Sequence, residues 1–294
     1  MSATIIEGKP VADSIYREIT NDLITLKAGG CTPHLTVVLV GDDPASQVYV
    51  GMKQKACEKY GLGSETILLP GTTTENELLQ VVDKLNHRPD VHGILVQLPV
   101  PKHISAKKVI DAISPEKDVD GLHPINRGRL AVGDECFIPC TPAGVQQLLL
   151  FNNIKTEGKH VVVVGRSSLV GLPFALMMMQ KKAGANATVT VCHTGSGDLK
   201  PYTKEADILV AAAGRAGIIT ADMVKPGCVV IDVGTNRVDD PSVPRGYRLT
   251  GDVDFENVKN VAGAISPVPG GVGPMTIVML LKNTVKAARQ QSGL

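Results

Sequence analysis

Short apolar runs of strand length alternate with segments of helical period along almost the whole 294-residue chain. In the first half, LTVVLVG (35–41), TILLP (66–70) and GILVQLP (93–99) read as strands, and helices are predicted around 10–28, 44–60, 74–86 and 105–112. The second half opens with a helix predicted after CTPAG and continues with the strands HVVVVG (160–165), ATVTVC (187–192), DILVAAAG (207–214) and CVVIDVG (228–234). Several of these runs are apolar at successive rather than alternate positions, the pattern of parallel strands covered on both faces by helices. The closing MTIVMLLKNTVKAARQQ is amphipathic at helical spacing and is expected to fold back on the first domain.

Between the halves, VDGLHPINRGRLAVGDECFIPCTP is rich in Gly and Pro and holds no sustained period, so a domain boundary is expected there. The length exceeds that of a usual single domain. The expectation is an α/β protein of two domains. The first is a three-layer α/β domain at 1–143, completed by the C-terminal helix 276–294; the second is a Rossmann-like domain with a parallel sheet at 144–275.

Composition narrows the partners. A formal net charge of +1 gives no electrostatic reason to expect nucleic acid or an anionic membrane. Six cysteines are scattered without a CxxC pair or a Cys/His cluster at zinc spacing, so free thiols in a reducing compartment and no metal site are expected. The start MSATIIEGKP lacks the basic, apolar character of a signal peptide, and no apolar stretch approaches the roughly 18 residues of a membrane helix. A soluble, cytoplasmic protein is expected, with a small molecule or a second copy of itself as partner.

VVVVGRSSLVGLPFALMMM is a strand, a glycine turn and a helix, with Gly165 directly after the strand, Gly171 six residues on and Pro173 in the first helical turn. Such a helix N-terminus offers backbone N–H groups to a phosphate. The dinucleotide fingerprint GxGxxG is not met, because Arg166 and Ser167 fill the place of its second glycine. By itself the turn serves a dinucleotide or ordinary strand-to-helix chemistry equally well. The next strand adds to it: an NAD site usually carries an acid at that strand's end, whereas Cys192, His193 and Thr194 stand here and no carboxylate arrives before Asp198. The missing acid and the cation of Arg166 favour NADP over NAD; a surface arginine paired with a helix acid is the alternative.

In SQVYVGMKQKACEKYG (46–61), about 100° per residue places Ala45, Tyr49, Met52, Ala56 and Tyr60 on one face, with Lys55 pointing away. Lys53 and Lys59 flank that stripe on opposite edges, and Tyr49, one turn before Lys53, is near enough to meet it. Periodicity does not separate a functional Lys53 or Lys59 from a snorkelling surface lysine.

Read together, VYVGMKQKA, GILVQLPVP, PEKDVDGLHPIN, VVVVGRSSLVGLP and SPVPGGVGPMT, in this order, resemble the bifunctional methylenetetrahydrofolate dehydrogenase/cyclohydrolase family over nearly the whole chain. The resemblance implies a catalytic N-terminal domain, an NADP-binding C-terminal domain and a folate in the cleft between them. It matches Tyr49 and Lys53 to the family's tyrosine and catalytic lysine, Gln97 to the glutamine that supports the lysine, with Leu98 beside it, and Asp120 to the aspartate that holds the pterin. Pro269, Gly273 and Thr276 match residues lining the folate and nicotinamide sites. Gly165, Arg166, Ser167, His193, Thr194, Ala213, Gly214 and Thr235 match cofactor positions, with Arg166 on the 2′-phosphate.

The implied chemistry is NADP-dependent oxidation of 5,10-methylenetetrahydrofolate to the methenyl cation, then hydrolysis to 10-formyltetrahydrofolate. Lys53, desolvated and close to a cation, is expected to have a lowered pKa and to act as general base or water-orienting group. The family also implies a homodimer. Three departures stand out: HTGSG leaves Thr194 to do the work of a serine, Thr235 stands where isoleucine is frequent, and His123 is either a folate contact or a loop histidine. A dehydrogenase without the hydrolase step, or a non-catalytic NADP-sensing module, stays open at this stage.

Overall fold

The apolar runs do form strands, most at narrower bounds than their hydropathy suggests, although the run at 66–70 belongs to a longer strand, Gly63–Leu69. The computed structural model describes residues 2–243 and 246–294. Its first part runs β1 (Thr4–Ile5), α1 (Gly8–Ala28), β2 (His34–Val40), α2 (Pro44–Tyr60), β3 (Gly63–Leu69), α3 (Glu75–His87), β4 (Gly93–Val96), α4 (Ala106–Ala112) and α5 (Pro124–Val132). Then follow α6 (Cys140–Phe151), β5 (His160–Val164), α7 (Gly171–Met179), β6 (Thr188–Cys192), α8 (Lys200–Thr203), β7 (Ile208–Ala211), β8 (Val229–Asp232), β9 (Asn236–Asp239), β10 (Tyr247–Thr250), α9 (Phe255–Val258), β11 (Ala264–Ile265) and α10 (Gly273–Ser292). Two compact units result: a β2 unit of Ser14–Pro139 with Ile277–Leu294, and a β5 unit of Met1–Asp13 with Cys140–Thr276.

The β2 unit holds a parallel sheet in the order β3-β2-β4. Central β2 is buried from Leu35 to Val40, hence covered on both faces, as its unbroken apolar run requires. Val38, Val40, Ile94 and Val96 pack with Leu78, Val82 and Leu85 of α3 and Val109 of α4. Helix starts and stops follow local chemistry. Asp43 caps α2 through Ser46 N at 2.8 Å, Pro44 sits in its first turn, and Gly61 closes it at φ 80°. Thr74 and Glu77 form a reciprocal capping box at α3. The closing helix clusters with this unit from Ile277 on; Asn283 Nδ2 donates to Val119 O at 2.8 Å and Ile138 O at 3.0 Å.

The β5 unit holds an all-parallel six-stranded sheet, β1-β11-β8-β7-β5-β6, with a core of Val162, Val164, Leu209, Ala211, Val230 and Ile265. Residues 2–13, expected in the first domain, cluster here instead, because β1 pairs with β11 in the register Thr4↔Ala264. Three further differences concern the elements. The region 119–142 is not all linker, since α5 spans Pro124–Val132 and α6 starts at Cys140 rather than after CTPAG. Strand β4 ends at Val96, short of Pro99, which has no N–H for a ladder. An antiparallel ribbon of β9 and β10 and the two-residue strands β1 and β11 carry too few apolar positions to register as periods.

Candidate active site

Helix α2 buries Ser46, Val50, Lys53 and Cys57, one face at helical spacing. The buried face is turned by about a quarter-turn from the expected stripe: Ala45, Tyr49 and Met52 lie on the solvent side, with Tyr49 at 48% and Met52 at 47% exposure, and Ala56 and Tyr60 are half-buried. Lys53 belongs to the inner face, 8% exposed, whereas Lys55 and Lys59 are exposed. Tyr60 stacks on Tyr16 of α1 with ring centroids 3.8 Å apart, and the Lys59 ammonium lies 5.0 Å from the Tyr60 ring centroid. The two lysines that hydropathy left level are separated by burial.

A buried amine needs a hydrogen-bond acceptor, and the sheet supplies one. Gln97 directly follows β4, at the carboxyl edge where parallel sheets place ligands. Its Oε1 accepts from Lys53 Nζ at 2.8 Å, and its Nε2 donates to Leu98 O at 2.7 Å. Its backbone N donates to Val38 O at 2.8 Å, so the amide that holds the lysine is itself anchored to the sheet.

The DVDG turn places its two acids differently. Asp118, 1% exposed, accepts from Leu122 N at 3.0 Å, His123 N at 2.8 Å and Asn126 Nδ2 at 2.8 Å. Burial pushes its carboxyl up to about 6 against the pull of these hydrogen bonds, with the Asp120 charge adding to the rise. The loop-capping part thus falls to Asp118, and Asp120 stands half-exposed beside it. His123 caps the start of α5: its Nδ1 accepts from Ile125 N at 3.1 Å, and Nε2 lies 3.3 Å from Asp111 O.

In the β5 unit, Gly165 takes φ 128° after β5, and a Cβ there would overlap the Ala212 carbonyl oxygen. Its N donates to Cys192 O at 2.8 Å, tying the turn to the end of β6. Arg166 and Ser167 follow on the surface, with Ser167 Oγ accepting from Val170 N at 3.1 Å just before α7. His193 is held by a bond from its N to Ser196 Oγ at 2.9 Å and from Gly195 N to its Nδ1 at 3.0 Å, leaving Thr194 exposed. Ala213, Gly214 and Thr235 are also exposed, past the ends of β7 and β8. Pro269 and Gly273 are exposed near the start of α10, and Thr276 Oγ1 lies 3.0 Å from Thr141 Oγ1.

Sequence reasoning missed Asp118, Asn126, Asp232 and Asp252, which hold the loops rather than face outward. The signal for the last two was present: Asp232 ends an apolar strand two residues before Gly234, and Asp252 directly follows Gly251. Among the described residues no group of three or more His, Cys, Asp or Glu converges to hold a metal ion, and no helix is long and apolar enough to cross a membrane.

Two domain families match the chain in order. The tetrahydrofolate dehydrogenase/cyclohydrolase catalytic domain matches residues 6–120, and the NAD(P)-binding domain of the same enzymes matches residues 139–292. The bifunctional protein FolD of Prosthecochloris aestuarii is 55% identical over 293 residues, 99% of each chain. The crystal structure of the bifunctional FolD of Campylobacter jejuni is similar at a TM-score of 0.92 and 48% identity, covering 98% of this chain and 99% of that one. The Trypanosoma brucei methylenetetrahydrofolate dehydrogenase-cyclohydrolase, complexed with NADP cofactor and inhibitor, gives 0.92 at 39% identity, over 99% and 98% of the chains. With both domains matched and relatives of equal length sharing more than half of its residues, the chain belongs to the bifunctional tetrahydrofolate dehydrogenase/cyclohydrolase family.

Proposed function

We propose that Lys53, held by Gln97, is the group with which this dehydrogenase/cyclohydrolase hydrolyses 5,10-methenyltetrahydrofolate, and that Arg166 with Ser167 receives the 2′-phosphate of NADP. The observation that carries this reading is the buried Lys53 amine, 2.8 Å from Gln97 Oε1. A surface lysine is not fixed in this way.

The residues of the β5 unit fit a dinucleotide. Gly165 lets the backbone turn without a Cβ, α7 presents its N-terminus, and Arg166, Ser167 and Thr194 offer a guanidinium and two hydroxyls on the surface. When bound, NADP supplies the hydride acceptor for the one-carbon bridge of 5,10-methylenetetrahydrofolate. Ala213, Gly214 and Thr235 present further surface to it. Pro269, Gly273 and Thr276 line the folate and nicotinamide sites, and their work is positioning.

In the hydrolytic step a water oxygen adds to the methenyl carbon and Lys53 takes the water's proton. The bond from that carbon to N5 then breaks: N5 keeps the electron pair and takes up a proton as the new hydroxyl on the carbon gives up its own, and the carbon stays on N10 as a formyl group. Gln97 fixes the amine through its carbonyl oxygen, Leu98 lies beside it, Asp120 accepts hydrogen bonds from the amino edge of the pterin, and Tyr49 packs on the folate. A homodimer and a cytoplasmic setting belong to the same proposal. Edge strand β6 and the exposed Leu169, Leu172 and Met179 support the first, and six free thiols support the second.

Purified protein tests this directly. Reduced nicotinamide should form from methylenetetrahydrofolate faster with NADP than with NAD, and methenyltetrahydrofolate without cofactor should hydrolyse faster than in buffer. Dehydrogenation without hydrolysis would leave a monofunctional enzyme, and a sedimentation profile of monomer alone would remove the dimer.

A further inference from the structure

The β5 unit contains two carboxylates that no step above uses. Asp252, 0% exposed, follows β10, and its oxygens accept from four donors. Oδ2 takes Ala213 N at 2.6 Å and Gly214 N at 2.8 Å, and Oδ1 takes Arg215 N and Asn236 Nδ2 at 2.9 Å each. A carboxylate has about four acceptor sites, so this one is saturated. Asp232, 3% exposed at the end of β8, holds Asp252 in turn: it accepts from Asp252 N at 2.9 Å, Val253 N at 3.0 Å and Gly234 N at 3.0 Å.

Two glycines make room for this ladder. A Cβ on Gly234 would overlap Asp252 Oδ1, and one on Gly251 would overlap Asp232 Oδ2. The segments joined, 213–215 after β7 and 234–236 after β8, lie at the carboxyl ends of neighbouring parallel strands. Their outer residues Ala213, Gly214 and Thr235 are exposed at that edge. Three successive backbone N–H groups turned inward onto one anion fix the outward face of the turn.

We infer that Asp252, anchored by Asp232, is a positioning residue for the dinucleotide surface, holding the 213–215 and 234–236 turns in the one arrangement that accepts NADP. This rests on the reading of Ala213, Gly214 and Thr235 as cofactor-facing. An asparagine cannot replace the carboxylate, since its amide would turn an N–H₂ group toward backbone N–H donors on one side.

The test uses the full chain with Asp252→Asn and Asn236→Ala, the second removing a single donor and leaving the carboxylate in place. Asp252→Asn should raise the KM for NADP roughly 10- to 100-fold, the loss of charge-assisted hydrogen bonds, with kcat at saturating NADP within about threefold of wild type. Asn236→Ala should raise KM in the same direction by a smaller factor. Unchanged KM in both variants, or a fall in kcat that parallels the fall in melting temperature with KM constant, would overturn the inference. Arg166→Ala run alongside separates the two readings. If it weakens NADP while the Asp252 and Asn236 variants do not, the positioning role fails and the cofactor site stands; if only the latter weaken NADP, the role of Arg166 fails.

Discussion

Replacing Lys53 by Met removes the amine and keeps most of the side-chain volume between Val50 and Cys57. Two effects on stability oppose each other. Gln97 Oε1, the acceptor at 2.8 Å, loses its donor, which costs at most about 1–3 kcal/mol, since Gln97 is only half-buried. A largely buried polar amine also no longer has to be desolvated, which returns part of that penalty. At about 2–4 °C per kcal/mol for domains of this size, the melting temperature should fall by only a few degrees. The catalytic loss is far larger. Positioned general acid–base groups contribute about 10²–10⁴ in rate, equivalent to about 3–5 kcal/mol of barrier. Methenyltetrahydrofolate hydrolysis, followed spectrophotometrically without cofactor, should therefore drop at least 100-fold while NADP affinity, measured by calorimetry, stays constant. Lys59→Met serves as the control, because Lys59 is exposed and meets the Tyr60 ring rather than a polar acceptor. Hydrolysis within threefold of wild type for Lys53→Met, in a folded protein, would refute the assignment.

Arg166→Ala should raise the KM for NADP about 10- to 100-fold, the loss of a charge-assisted hydrogen bond, and leave that for NAD unchanged; steady-state kinetics with both cofactors decide it. Gly165→Ala places a Cβ against the Ala212 carbonyl at φ 128°, so a destabilisation of about 1–3 kcal/mol or more and loss of NADP binding are expected by thermal melting and calorimetry. Asp118 titrates at about 6 in the fold against an ordinary 3.8. The folded state therefore binds its proton first, and its contribution to stability rises as pH falls through 6 toward 4. In urea unfolding, wild type should gain about 1 kcal/mol on Asp118→Asn between pH 7 and pH 5; a pH-independent gap would contradict the burial argument.

Much of the architecture was legible because its causes are local. Unbroken apolar runs such as VVVV at 161–164 declare strands covered on both faces, and Asp43, Pro44 and Gly61 declare where α2 begins and ends. The motifs around Lys53, Gln97 and Gly165 were readable for the same reason. Helix α2 shows the limit. Its inner face carries Ser46 and Lys53, its outer face Tyr49 and Met52, so a hydropathy average points the helix the wrong way at the place where a functional amine is buried.

The amino-acid sequence by itself determined the alternation of elements, the parallel sheets and the family, since each follows from neighbours a few residues apart or from motifs in order. Tertiary structure alone decided which lysine meets an acceptor, that Asp118 caps the turn and leaves Asp120 half-exposed, that β1 joins β11 across the chain, and that Asp252 gathers two loops. Those outcomes depend on hydrogen bonds and burial between residues distant in the chain, and a polar group is worth burying only where the folded neighbours satisfy it.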